Sequence, residues 1–134
     1  MSPFELLGNI GLSIAEIENE IEDIEDELES LKRRVKRLHG KITKKKKEIK
    51  DEEHEAAMDS PPGGFNIPSL DDLRIEFLEI NLARYEDELA RKTKRIKDLE
   101  ERLKKLKKMK ESLKKEYINL MKILMNYLEE HRPQ

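Results

Sequence analysis

Apolar residues recur at intervals of three or four along two long stretches of this chain. The first ladder is Ile14, Ile17, Ile21, Ile24, Leu28, Leu31, Val35, Leu38 and Ile42, with a last apolar step at Ile49. The second is Ile75, Leu78, Leu82, Tyr85 and Leu89, then Ile96, Leu99, Leu103 and Leu106. It continues through Leu113, Tyr117, Leu120, Leu124 and Tyr127. A seam this narrow, kept over so many heptads, covers one side of a helix and zips it to another as a coiled coil. The pattern predicts an all-α protein built of two long helices.

The punctuation sets the boundaries. Ser2-Pro3-Phe4-Glu5 is a helix start: Ser2 caps, Pro3 suits the first turn and Glu5 completes a capping box. Gly8 and Gly11 weaken the helix that follows, so residues 1–12 read as a helical cap with a glycine kink. Ser13-Ile14-Ala15-Glu16 is a second capping box where the strong heptads begin. The first coiled-coil helix spans 13–58, with Gly40 a soft point costing about 1 kcal/mol relative to alanine. Residues 59–68 contain Pro61-Pro62-Gly63-Gly64 and Pro68 and form a loop, because proline biases its predecessor away from helical angles. Ser69 caps the second helix, 69–130, with Asp71 and Asp72 favoured in its first turn. Residues 131–134 are a tail. At about 1.5 Å per residue each helix is on the order of 80 Å long.

Charge decides how the helices pair. Residues 1–31 hold acids such as Glu18, Glu20, Glu22 and Glu25 and no Lys or Arg, whereas 32–50 are Lys/Arg-rich with one acid, Glu48. Folding at Gly63-Gly64, so that residue 57 faces residue 71, sets the acidic block beside the Lys-rich stretch 104–115. It sets the basic block 41–50 beside Glu79, Glu86, Asp87 and Glu88. A parallel homodimer would oppose like charges over much of its length. Flanking charges set orientation in coiled coils, so an antiparallel hairpin is expected. One zone disagrees: Arg33, Arg34, Lys36 and Arg37 fall beside Arg91, Lys92, Lys94 and Arg95, a positive belt midway along the pair.

Apolar residues outside the seam ask for more than one partner helix. At the open end these are Phe4, Leu6 and Leu12, near Ile118, Met121, Ile123, Met125 and Leu128. At the loop end Leu70, Leu73, Phe77 and Ile80 form a second stripe beside Phe65 and Ile67. Two helices have little interior in which to hide this area, so the open end is expected to self-associate into a dimeric or higher helical bundle, a dimer or tetramer. The loop end is expected to contact an unknown protein partner. Lys45, Glu52, Lys92 and Lys110 occupy seam positions, where long stems snorkel to water or polar groups set register.

Composition agrees with helices and removes several functions. In 134 residues 43% are charged and 4% aromatic, and the net charge of −2 selects neither nucleic acid nor an anionic surface. With no cysteine there is no disulfide or thiolate metal site, and a reducing, cytoplasmic compartment is the simplest reading. No apolar run of about 20 residues can insert in a membrane, and the start lacks the basic segment of a signal peptide. Heavy Lys and Glu use also fits a thermophilic source.

Catalytic chemistry finds no foothold. His39, His54 and His131 are scattered, and Asp51-Glu52-Glu53-His54 lacks the second copy a bundle di-metal site needs. No phosphate-binding glycine loop, nucleophile elbow or zinc-protease motif occurs. No cofactor, metal or enzymatic activity is expected. Three roles compete. The first is a scaffold or spacer. The second follows from outline alone: a helical hairpin with apolar ends resembles prefoldin subunits, which implies a holdase chaperone, although those subunits carry β-hairpins where this chain has a short Pro/Gly loop. The third is nucleic-acid association without sequence preference, through phosphate contacts from Arg33, Arg34, Arg37, Arg91, Lys94 and Arg95.

Overall fold

The fold is described from a computed structural model, over residues 2–59 and 70–132. Two helices, α1 (Pro3–Asp59) and α2 (Leu70–Glu130), pack against each other as an antiparallel hairpin, with no strand among the described residues. The Ser69 cap, the loop centred on Gly63-Gly64, and Phe65 and Ile67 lie outside the described residues.

The ends of the helices follow their sequence signals. Ser2 Oγ accepts from the backbone N–H of Glu5 at 3.1 Å, and the Ser2 carbonyl accepts from Leu6 at 3.0 Å. Ser2 therefore satisfies one of the orphan donors of the first turn while starting the helical ladder. At the other end His131 N–H donates to the Tyr127 carbonyl at 3.1 Å, and His131 Nδ1 lies 2.9 Å from the same oxygen. A carbonyl only accepts, so this contact is a hydrogen bond in the tautomer with its proton on Nδ1. The His131 ring also stacks on Tyr127 at 4.2 Å. Gly8, Gly11 and Gly40 are all helical, within the continuous span of α1.

The chain divides into two compact units. One joins Met1–Glu29 to Lys97–Gln134, and the other is Ser30–Ile96. In the first, Ile17, Ile21, Ile24 and Leu28 of α1 are buried with Leu99, Leu106 and Leu124 of α2. Leu106 is fully enclosed, at 0% exposure. Gly11 faces Tyr117, the residue that folding at Gly63-Gly64 places opposite it. In the second unit Leu31, Leu38, Ile42 and Ile49 are buried, and Ile75, Leu78, Leu82, Tyr85 and Leu89 are half-buried. Lys41 Nζ stands 5.6 Å from the Tyr85 ring centroid, within two residues of the same register. Each buried Ile or Leu contributes roughly 1.5–3 kcal/mol of transfer free energy, so the seam supplies the main stabilising force.

The seam is covered unequally. Among the described residues eight side chains of α1 are buried and three of α2. One stripe accounts for most of the apolar residues of α1, with Phe4, Leu6, Leu12 and Met58 outside it, whereas α2 spends a larger share of its apolar residues elsewhere.

Candidate interaction surfaces

Charge pairing in the open-end unit takes the expected form. Arg102 donates to Glu20 Oε1 from Nη2 at 2.9 Å and from Nε at 3.2 Å. Lys110 reaches Glu18 at 3.4 Å and Lys107 reaches Glu25 at 4.0 Å. The acidic block of α1 therefore lies against the basic stretch of α2. These pairs are at least a quarter exposed, so each adds only about 0–1 kcal/mol, and together they fix orientation more than stability.

In the second unit several ion pairs run along a helix. Arg91 is held by Asp87, with Nε donating at 3.0 Å and Nη2 closer still. Lys92 meets Glu88 and Lys45 meets Glu48, both at 3.1 Å. The hydrogen bond to Asp87, then its charge, raises the Arg91 pKa further above its already high value, leaving a permanent cation matched to its own carboxylate. Arg34, Arg37 and Lys41 line a shallow cleft with Glu88 and Lys92. Arg33 and Arg95 also have partners. Lys94 is exposed. Asp87 and Glu88 therefore stand within the positive belt and offset part of its charge, a proximity the sequence offers at intervals of four residues.

The polar seam positions sort into two kinds. Lys45, Lys92 and Lys110 keep 21–28% of their side-chain surface exposed and end on Glu48, Glu88 and Glu18. Their stems lie in the seam and their charges reach the rim. Glu52 differs: its Oε2 is buried without a hydrogen-bond partner.

All the off-seam apolar residues of the open end are exposed: Phe4, Leu6, Leu12, Ile118, Met121, Ile123, Met125 and Leu128. Four of these form a stripe of their own. Ile118, Met121, Met125 and Leu128 follow one another at three, four and three residues, a second heptad seam beside the first. In the heptad set by the buried seam, Met121 and Leu128 share a flanking position with Lys107, and Phe4 and Gly11 share one with Glu25. The Lys107–Glu25 contact shows that these two flanks meet. Gly8 is open, with nothing within 4 Å of the place a β-carbon would take. A further apolar cleft of about 340 Å³ lies between Pro3 and Phe4 and the last turns of α2, lined by Leu120, Ile123, Tyr127 and Leu128.

At the loop end Leu70, Leu73, Phe77 and Ile80 are exposed as well. A cleft of about 560 Å³ opens there, with Leu70, Leu73, Arg74, Phe77 and Leu78 on one side and Glu48, Asp51 and Glu52 on the other, so three carboxylates face one guanidinium. The carboxylates opposite the stripe are the feature the hydrophobic pattern alone misses. The signal was present in the run Asp51-Glu52-Glu53.

Among the described residues no group of His, Asp and Glu could hold a metal ion, and no helix is long and apolar enough to cross a membrane. Comparison with protein-family models, curated proteins and solved structures finds no match.

Proposed function

We propose that this chain is a non-enzymatic structural protein, a coiled-coil hairpin that self-associates through its open end and scaffolds or spaces other components. The observation that carries the reading is the second heptad seam of α2, Ile118, Met121, Met125 and Leu128, exposed beside a first seam that is already occupied. A helix with two apolar seams has contacts for two neighbours, and one chain supplies a single neighbour. Exposed apolar faces of this kind mark association sites on soluble proteins.

A second copy is the occupant that the charges favour. Beyond the stripe, α1 continues in acids and α2 in lysines. Two hairpins side by side with their open ends together set the α1 of each against the α2 of the other, again antiparallel. The attraction seen in Glu25–Lys107 is then repeated between copies. The open groove at Gly8 admits the neighbouring helix closely. With Phe4 the stripe exposes on the order of 1,000 Å² over two copies, near the lower bound for specific association.

Light-scattering mass on a sizing column tests this. The wild-type chain runs as a dimer or tetramer, and Met125→Glu with Ile118→Glu gives a monomer of unchanged helicity. A monomeric wild type at high concentration overturns the proposal. Stoichiometric suppression of client aggregation would favour the holdase role instead, and a salt-steep shift of DNA or RNA would favour nucleic-acid association.

A further inference from the structure

We infer that the loop-end cleft is a docking site for a basic amphipathic helix of a partner protein. The floor is a stripe with its own helical spacing: Leu70, Leu73, Phe77 and Ile80 follow at three, four and three residues, and Phe77 is 64% exposed. A flat surface of that period accepts another helix through its apolar face, with anchors at intervals of three and four.

The rim sets the sign of the partner. From Glu48 to Glu55, α1 carries Glu48, Asp51, Glu52, Glu53 and Glu55 against Lys50. From Leu70 to Ile80, α2 carries Asp71, Asp72, Glu76 and Glu79 against Arg74. Acids surrounding an apolar strip draw a ligand that is apolar on one side and cationic at its edges. They repel phosphate polymers and anionic membranes. A second copy in the same pose would bring the same acids and is disfavoured for that reason.

Glu52, a half-buried seam residue, stands on the wall of the same cleft. The three seam lysines each end on a carboxylate, but Glu52 Oε2 is buried with no donor, on the wall of this cleft. An acceptor left in that state costs stability until a donor arrives. A lysine or arginine at the edge of an incoming helix meets the partly exposed Glu52 carboxylate on the cleft wall and brings the opposite charge.

The site lies within residues 30–96, outside the unit that carries the open end, so the full-length chain with Met125→Glu and Ile118→Glu serves alongside the wild type. The probe is a fluorescein-labelled helical peptide of leucine and lysine, with leucines spaced three and four apart. A scrambled lysine peptide and a leucine-glutamate peptide are the controls. In fluorescence anisotropy the probe binds both chains, and the controls bind at least tenfold more weakly. Phe77→Ser, a change at an exposed position, weakens the probe about tenfold, and Glu52→Gln weakens it severalfold. Zero-length carboxylate–lysine cross-links fall on Glu48, Asp51 and Glu52. The proposal is overturned if the probe fails to bind, if Phe77→Ser binds it as well as wild type, or if cross-links spread equally over the acidic block 16–29. It is also overturned if Phe77→Ser lowers the oligomeric mass, which would make the face an interface between copies.

Discussion

Glu20 and Arg102, 82 residues apart in the chain, share a two-pronged contact in which Nη2 and Nε of the arginine both donate to one carboxylate oxygen. With the Gly11–Tyr117 contact, in which the α1 number is lower and the α2 number higher, it sets α1 and α2 in opposite directions. A double-mutant cycle on Glu20→Ala and Arg102→Ala should give a coupling of about 0.2–1 kcal/mol in urea unfolding. The coupling should shrink toward zero in 1 M salt, where the Debye length is about 3 Å.

Burial along α2 predicts a sharp contrast between its two seams. Leu106 is enclosed and Leu128 is exposed. Leu106→Ala should cost about 2–5 kcal/mol by thermal or urea unfolding. Leu128→Ala should leave the stability of a monomeric variant within about 0.5 kcal/mol. In the wild-type background it should raise the dissociation constant of the oligomer. A large loss of monomer stability from Leu128→Ala would mean that the second seam is already filled within one chain.

Gly8 and Gly40 sit inside α1 with open space where a β-carbon would go. Alanine at either should stabilise the hairpin by up to about 1 kcal/mol, since glycine is a poor helix former and nothing obstructs the methyl. Gly8→Leu should keep the helix and break self-association, because bulk then fills the groove a neighbouring helix uses. Circular dichroism and light-scattering mass would separate the two effects. Gly40→Leu is the control, which should not change the mass.

Glu52 should trade stability against recognition. Replacing it with leucine removes a buried acceptor without a donor and extends the apolar seam, so the unfolding free energy should rise by about 1–3 kcal/mol and the melting temperature should rise with it. The same change should weaken the leucine-lysine peptide. Lys45→Leu, which removes the lysine paired with Glu48, should extend the seam and leave the peptide bound at least as tightly, since Glu48 on the cleft wall loses its counter-charge.

Much of this arrangement was legible before any coordinates. The three-and-four spacing marked both helices, and the sign change between Glu29 and Lys32 favoured folding back. The register expected from the sequence, with residue 57 facing residue 71, sets residue 11 opposite residue 117, where Gly11 and Tyr117 meet. The open-end apolar residues were readable as surplus because their spacing departs from the seam. Side-chain partners were harder. Asp87 was read as a partner for the lysines of the other helix, but it holds Arg91, one turn away, since a neighbour at four residues is within reach whatever the opposite helix does. The distinction between Glu52 and the seam lysines was also hidden. Spacing marks all four as polar intruders, and only geometry shows which ones find a counter-charge at the rim.

The Tyr117–Gly11 contact joins chain segments much further apart than the Lys41–Tyr85 contact does. Closing the longer loop costs more entropy, so pairing around Lys41 and Tyr85 should precede pairing around Gly11 and Tyr117. The open end is then the last part to order and the first to fray, and it carries the second seam. Binding to the ordered state alone shifts local melting by mass action. Protein concentration should therefore set how tightly Phe4 and Leu128 are held, and dilution alone should increase amide hydrogen exchange in the last turns of α2 while leaving the segment around Leu38 protected.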